Sequence, residues 1–132
     1  MGEQFSERAY LDAATLRIRL LTFQRRTEEI TRNHGITPER YLLLLIVRAD
    51  AIRGTPSTVG SLCDPLQMTQ SSVSRLVGGA IGAGLLEREV DSSDHRRGYL
   101  HLTREGTARL EAVFHQLGPE RTKLAAALSD AG

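Results

Sequence analysis

The chain has 132 residues, enough to bury one core, and its 17 basic and 16 acidic residues leave a net charge of +1, which argues against a polycation that coats nucleic acid indiscriminately. With no Trp, three Phe and three Tyr, that core has to be aliphatic. The longest apolar run, Tyr41 to Val47, is far below the roughly 20 residues a bilayer requires, and with no apolar signal core at the start and a single Cys the sequence reads as a soluble, cytoplasmic chain without a membrane partner.

From Ser6 to Arg32 the apolar residues recur at three- and four-residue spacing, with Ser6 placed to cap a helix. Two stripes run along it: Leu11, Ala14, Ile18 and Leu21, and Ala13, Leu16, Leu20, Phe23 and Ile30. One stripe suffices for a surface helix. Two predict burial on both sides, the second being either the interior of the same chain or another subunit. Gly35 ends this helix, and Thr37 and Pro38 open the next as N-cap and first helical residue. The run Tyr41 to Val47 is apolar all round and predicts a helix buried at the centre of the fold.

Thr58 to about Leu66 reads as a short helix that Pro65 should end or distort early. After a turn at Leu66 to Met68, Thr69 caps a helix running to Gly84, with Val73, Leu76, Val77 and Ala80 facing inward and Ser71, Ser74, Arg75, Gly78 and Gly82 facing away. Leu85 to Val90 and Gly98 to Leu102 are the arms of a hairpin around the turn residues Asp91 to Asp94. Thr103 caps a further helix to about Leu117, and Gly118-Pro119 breaks the chain before a final short one. These elements predict a mostly α fold with a small β-hairpin wing (α+β): a winged helix-turn-helix over 36–103, between terminal helices over 6–34 and 104–130, in one domain spanning 1–132.

Several motifs in this order resemble the MarR family of bacterial transcriptional regulators: Ile36-Thr37-Pro38 at the second helix, Thr58 to Cys63 at the third, and a serine-rich helix ending in Gly84-Leu85. The most specific is the spaced set Asp94, Arg96, Leu102, Thr103 and Gly106. The resemblance implies a homodimer joined by the terminal helices, with Leu11, Leu16, Leu20, Phe23, Leu124 and Leu128 as candidate interface residues. It also implies palindromic operators on double-stranded DNA and, often, a small aromatic or anionic effector, for which the sequence names no binding residue.

Sixteen of the 17 basic residues are Arg, whose planar fork suits phosphate or guanine, although genome base composition produces the same bias. Thr69, Gln70, Ser71, Ser72, Ser74 and Arg75 form a polar helix start suited to base edges and phosphates in a major groove, with Arg75 the candidate for guanine. A solvated face with ordinary capping serines is the alternative. Arg96 and Arg97 sit where a wing would touch phosphate or the minor groove, and Asp94, which phosphate would repel, reads as the acceptor that orients an arginine; a flexible solvated loop is the alternative for all three. Arg88 and Arg104 are either further backbone contacts or surface charge.

Gly78, Gly79 and Gly82 depart from the family, which usually carries charge around the first two positions. Each weakens the helix by about 1 kcal/mol relative to Ala, and together they shift DNA affinity toward the wing. Cys63 reads as a buried structural thiol, with a redox sensor as the alternative. His34, His95, His101 and His115 form no metal-ligand spacing, and no nucleophile triad or phosphate-binding loop is present, so neither an enzyme nor a cofactor is expected. The composite expectation is a homodimeric, sequence-specific repressor of a pseudo-palindromic operator, relieved by an effector. The competing expectation is a winged-helix interaction module that has lost operator binding.

Overall fold

Hydroxyl side chains start five of the six helices described in this protein. In the computed structural model, which describes residues 4–91 and 94–131 with the side chains of 90–97 and 131 outside the description, the elements run α1 (Glu7–Asn33), α2 (Pro38–Arg53), α3 (Val59–Leu66), α4 (Gln70–Gly82), β1 (Leu86–Asp91), β2 (Asp94–Leu102), α5 (Arg104–Gln116) and α6 (Gly118–Ala131). Ser6, Thr37, Thr58, Thr69 and Thr103 each accept from the backbone N–H three residues on, satisfying a donor the helix leaves without a partner. At Thr58 the cap is reciprocal, because Ser61 Oγ accepts from the Thr58 backbone N–H at 2.9 Å. The architecture is mostly α with a two-stranded antiparallel wing, and no helix among the described residues is long and apolar enough to cross a membrane.

The core is aliphatic, as the composition demands. Leu43 and Leu44 of α2, Leu62 of α3, and Val73 and Val77 of α4 are fully buried together. Leu86 and Leu100 cover this core from the wing, and Leu110 and Val113 cover it from α5. The hairpin pairs Leu86 with Leu102 through Val90 with Gly98, and its register shifts between Val90 and Asp91. Ser57, two residues before α3, adds a fragment of a third strand: Leu100 N–H donates to the Ser57 carbonyl at 2.9 Å. Ser57 is itself buried and donates its hydroxyl to Asp50 Oδ2 at 2.7 Å, which ties the wing to the end of α2.

A second tie joins α4 to α5. Gly84 adopts φ +76°, the left-handed value that closes a helix and favours glycine, and Leu85 N–H returns to the Ala80 carbonyl at 2.9 Å. Thr103 then donates its hydroxyl to the Gly84 carbonyl at 2.5 Å and its N–H to the Leu85 carbonyl at 3.1 Å. Gly106 packs so closely on Leu85 that a Cβ there would strike the Leu85 carbonyl oxygen.

Three expectations change. The helix α2 is buried on one side only: Tyr41, Leu43, Leu44 and Val47 are covered, but Leu42 is 43% and Ile52 70% exposed, because among the described residues no other element covers that side. Pro65 does not cut α3 short, since its missing hydrogen bond falls in the last turn and the helix reaches Leu66 before Gln67 turns left-handed at φ 55°. Gly118 and Pro119 do not separate the last two helices: Leu117 alone intervenes, and Pro119 sits in the first turn of α6, where no intrahelical donor is needed.

Candidate nucleic-acid interface

The turn between α3 and α4 decides which face of α4 points outward. Gln67 in its left-handed conformation and the bond from Met68 N–H to the Cys63 carbonyl (3.1 Å) reverse the chain, and Thr69 restarts the helix. Val73, Val77 and Ala80 then lie fully buried and Leu76 half-buried, while Gln70, Ser71, Ser74, Arg75, Gly78 and Gly82 are exposed. Thr69 and Ser72 are engaged differently: the Thr69 hydroxyl donates to Ser72 Oγ at 3.0 Å while accepting from Ser72 N–H at 3.2 Å. The six polar residues expected at this helix start therefore divide. Gln70, Ser71, Ser74 and Arg75 present exposed polar ends on the surface, and Thr69 and Ser72 are held in the cap.

No residue of α4 is acidic. Its outward face offers amide, hydroxyl and guanidinium donors next to a helix N-terminus, a combination suited to anions and hydrogen-bond acceptors. On one side, a cleft of about 450 Å³ separates α4 from the wing, lined among others by Thr58, Gln70, Arg88, Gly98 and Tyr99. The stem of Arg88 crosses the wing over Gly98, where an added Cβ would lie 2.8 Å from Arg88 Cδ. The backbone of Asp94, Arg96 and Arg97 belongs to β2, and the roles expected of their side chains lie outside the described residues. Arg104 is exposed at the start of α5.

Cys63 is half-buried against the core, with Sγ 3.4 Å from the Val59 carbonyl. Among the described residues, no group of three or more His, Cys, Asp or Glu side chains comes together to hold a metal.

The residues expected at a subunit interface also divide. The helix α1 packs on α6 of its own chain. Leu16, Phe23 and Leu124 are half-buried, whereas Leu11 (60%), Leu20 (37%) and Leu128 (56%) are exposed. The stripe of α1 to which Leu11 belongs is uncovered further along as well, with Ile18 62% and Leu21 47% exposed. Between α1 and α2 lies a groove of about 600 Å³, whose walls include Leu21, Phe23, Tyr41, Leu42, Phe114 and Arg121. The Arg121 guanidinium stacks 3.7 Å above the Phe114 ring and donates to the Phe114 carbonyl at 3.1 Å. Burial pushes the Tyr41 phenol above its ordinary pKa, and the positive charge of Arg121 pulls it partly back.

The model of the MarR family matches residues 34–98, from the turn after α1 into β2. Comparison with curated proteins finds no match. Among solved structures, a variant of MepR from S. aureus aligns with a TM-score of 0.73 at 24% identity, covering 92% of this chain and 84% of that one. A variant of MarR from E. coli, complexed with operator DNA, aligns with a TM-score of 0.68 at 20% identity, covering 85% and 78%. The S. aureus MepR–DNA complex is 26% identical, with a TM-score of 0.65 and coverage of 86% and 83%.

Proposed function

The chain belongs to the MarR family of winged-helix regulators, and from that premise we propose that it binds double-stranded DNA as a homodimeric transcriptional repressor of a pseudo-palindromic operator. The observation that carries this reading is the outward face of α4: Gln70, Ser71, Ser74 and Arg75 stand exposed, without an acidic neighbour on the helix and beside a hairpin. A helix so equipped can enter a major groove, with Arg75 reaching a guanine edge and the serines reaching bases or phosphates. Arg96 and Arg97 are assigned to the backbone or minor groove next to it, oriented by Asp94.

Two copies joined through the uncovered apolar residues of α1 and α6 would set their α4 helices into successive major grooves, about one helical turn apart. The groove beside Tyr41 and Arg121 is the proposed effector site, its apolar walls suiting an aromatic ring and Arg121 a negative charge. An effector that binds one arrangement of the two copies better than the other would release the operator by shifting the population.

The test is fluorescence anisotropy with a duplex from the DNA upstream of the coding sequence, titrated with salt. Binding that weakens steeply with salt is expected from phosphate contacts. Failure to bind any duplex at low salt would refute the reading.

A further inference from the structure

We propose that Arg40, which lies on α2 and not on α3 or α4, is a backbone-phosphate contact: its guanidinium sits in the notch that Gly79 leaves on the flank of α4, and with Arg75 it grips one phosphate of a bound duplex. The proposal rests on the DNA-binding reading above and adds a residue to it.

The root of this side chain is fixed. Arg40 is the third residue of α2, and its backbone N–H is the one that donates to the capping Thr37 hydroxyl, at 3.1 Å. Its far end lies on the neighbouring helix. A Cβ built on Gly79 would stand 2.8 Å from Arg40 Nη2, 3.6 Å from Cζ and 3.7 Å from Nε, so the guanidinium lies against the glycine itself. Any larger residue at position 79 would displace it. Gly79 follows Arg75 by four residues and Ser72 by seven, so the three form one line along α4, next to the outward row of Ser71, Ser74 and Gly78. Gly79 thereby gives α4 a positive charge borrowed from another helix.

Between the start of α2 and this line runs a groove of about 410 Å³, into which Arg40, Ser72 and Arg75 project. Glu39 also borders it, so two guanidinium groups face one carboxylate. Among the described residues neither arginine is in an ion pair. Arg40 is half-buried, and a half-buried cation without a counterion carries a desolvation cost that an arriving phosphate would offset. The position favours phosphate over base: the backbone runs along the flanks of a helix lying in the major groove, while base edges meet its outermost row.

Anisotropy on the full chain tests this, with its upstream duplex and with an unrelated duplex of equal length, for the wild type, Arg40→Ala and Gly79→Ala. Arg40→Ala is expected to weaken binding to both duplexes by a similar factor and to lower the slope of log K against log salt by about 0.9 for each Arg40 in the complex. Gly79→Ala should weaken binding even though alanine is the better helix former. Wild-type affinity and slope in Arg40→Ala would overturn the proposal and leave the DNA reading standing. So would a loss confined to the upstream duplex, which would mean base contact. A wild type that binds no duplex would instead overturn the DNA reading. If circular dichroism shows that Arg40→Ala is unfolded, Arg40→Gln decides, because it keeps the aliphatic stem and a polar end and removes the charge; an unchanged slope there refutes the phosphate contact.

Discussion

At Gly106 a single hydrogen occupies the place where any side chain would meet the carbonyl oxygen of Leu85. The obstacle is backbone, which cannot swing aside as a side chain can, so Gly106→Ala is expected to cost about 1–3 kcal/mol or more in urea unfolding. Stability equal to the wild type would contradict the contact. Thr103, three residues earlier, caps α5 and ties it to Gly84. The pairing of Thr103 with Gly106 was legible in the sequence as a motif, and its structural work is to join two helices. The seat of Arg40 on Gly79 was not legible, because 39 positions separate them and nothing local links them. Tyr41 gives a pH prediction. It is 6% exposed, and burial, offset in part by Arg121, raises its pKa above the ordinary 10.0. The folded chain keeps the phenol neutral while the unfolded chain ionises it at 10.0, so this contribution is complete below pH 10.0 and is lost as the pH climbs through the raised value. Urea unfolding across pH 10.0 should show a steeper alkaline loss in the wild type than in Tyr41→Phe, and parallel curves would exclude the effect.

The wing is held to the helices by a short chain of polar groups: Asp50 accepts from the buried Ser57 hydroxyl, and the Ser57 carbonyl accepts from Leu100 of β2. Asp50→Ala leaves that hydroxyl without its acceptor, which costs about 1–3 kcal/mol. Amide hydrogen exchange should show faster exchange at Leu100, and unchanged exchange there would mean that the hairpin is anchored elsewhere. The elements were readable because capping and periodicity are local signals: Ser6, Thr37, Thr58, Thr69 and Thr103 mark where helices begin. The exposure of α2 was not readable. A run of apolar residues from Tyr41 to Val47 states that burial is wanted, but it does not state which neighbour supplies it, and Leu42 faces a groove left by the chain's own helices.

For the whole molecule the two stripes of α1 make a sharp prediction. Ile18 is 62% exposed and belongs to the uncovered stripe, so Ile18→Asp should leave helicity unchanged and turn a dimer into a monomer in sedimentation velocity. Leu16→Asp should also weaken the fold, because Leu16 is half-buried by the chain's own elements. An Ile18→Asp protein that sediments as a dimer would move the interface away from this stripe. Both stripes were visible in the sequence, but which of them the chain covers for itself depends on how α6 lies along α1, and no local pattern carries that. The tie from Gly84 and Leu85 to Thr103 and Gly106 has a mechanical consequence. With so many bonds and no room at Gly106, the end of α4 and the start of α5 turn as one piece, and only Leu117 separates α5 from α6. At 1.5 Å per residue α5 is roughly 20 Å long. It therefore acts as a lever arm, and a tilt of a few degrees at Leu117 sweeps the start of α5, and the end of α4 joined to it, through an ångström or two.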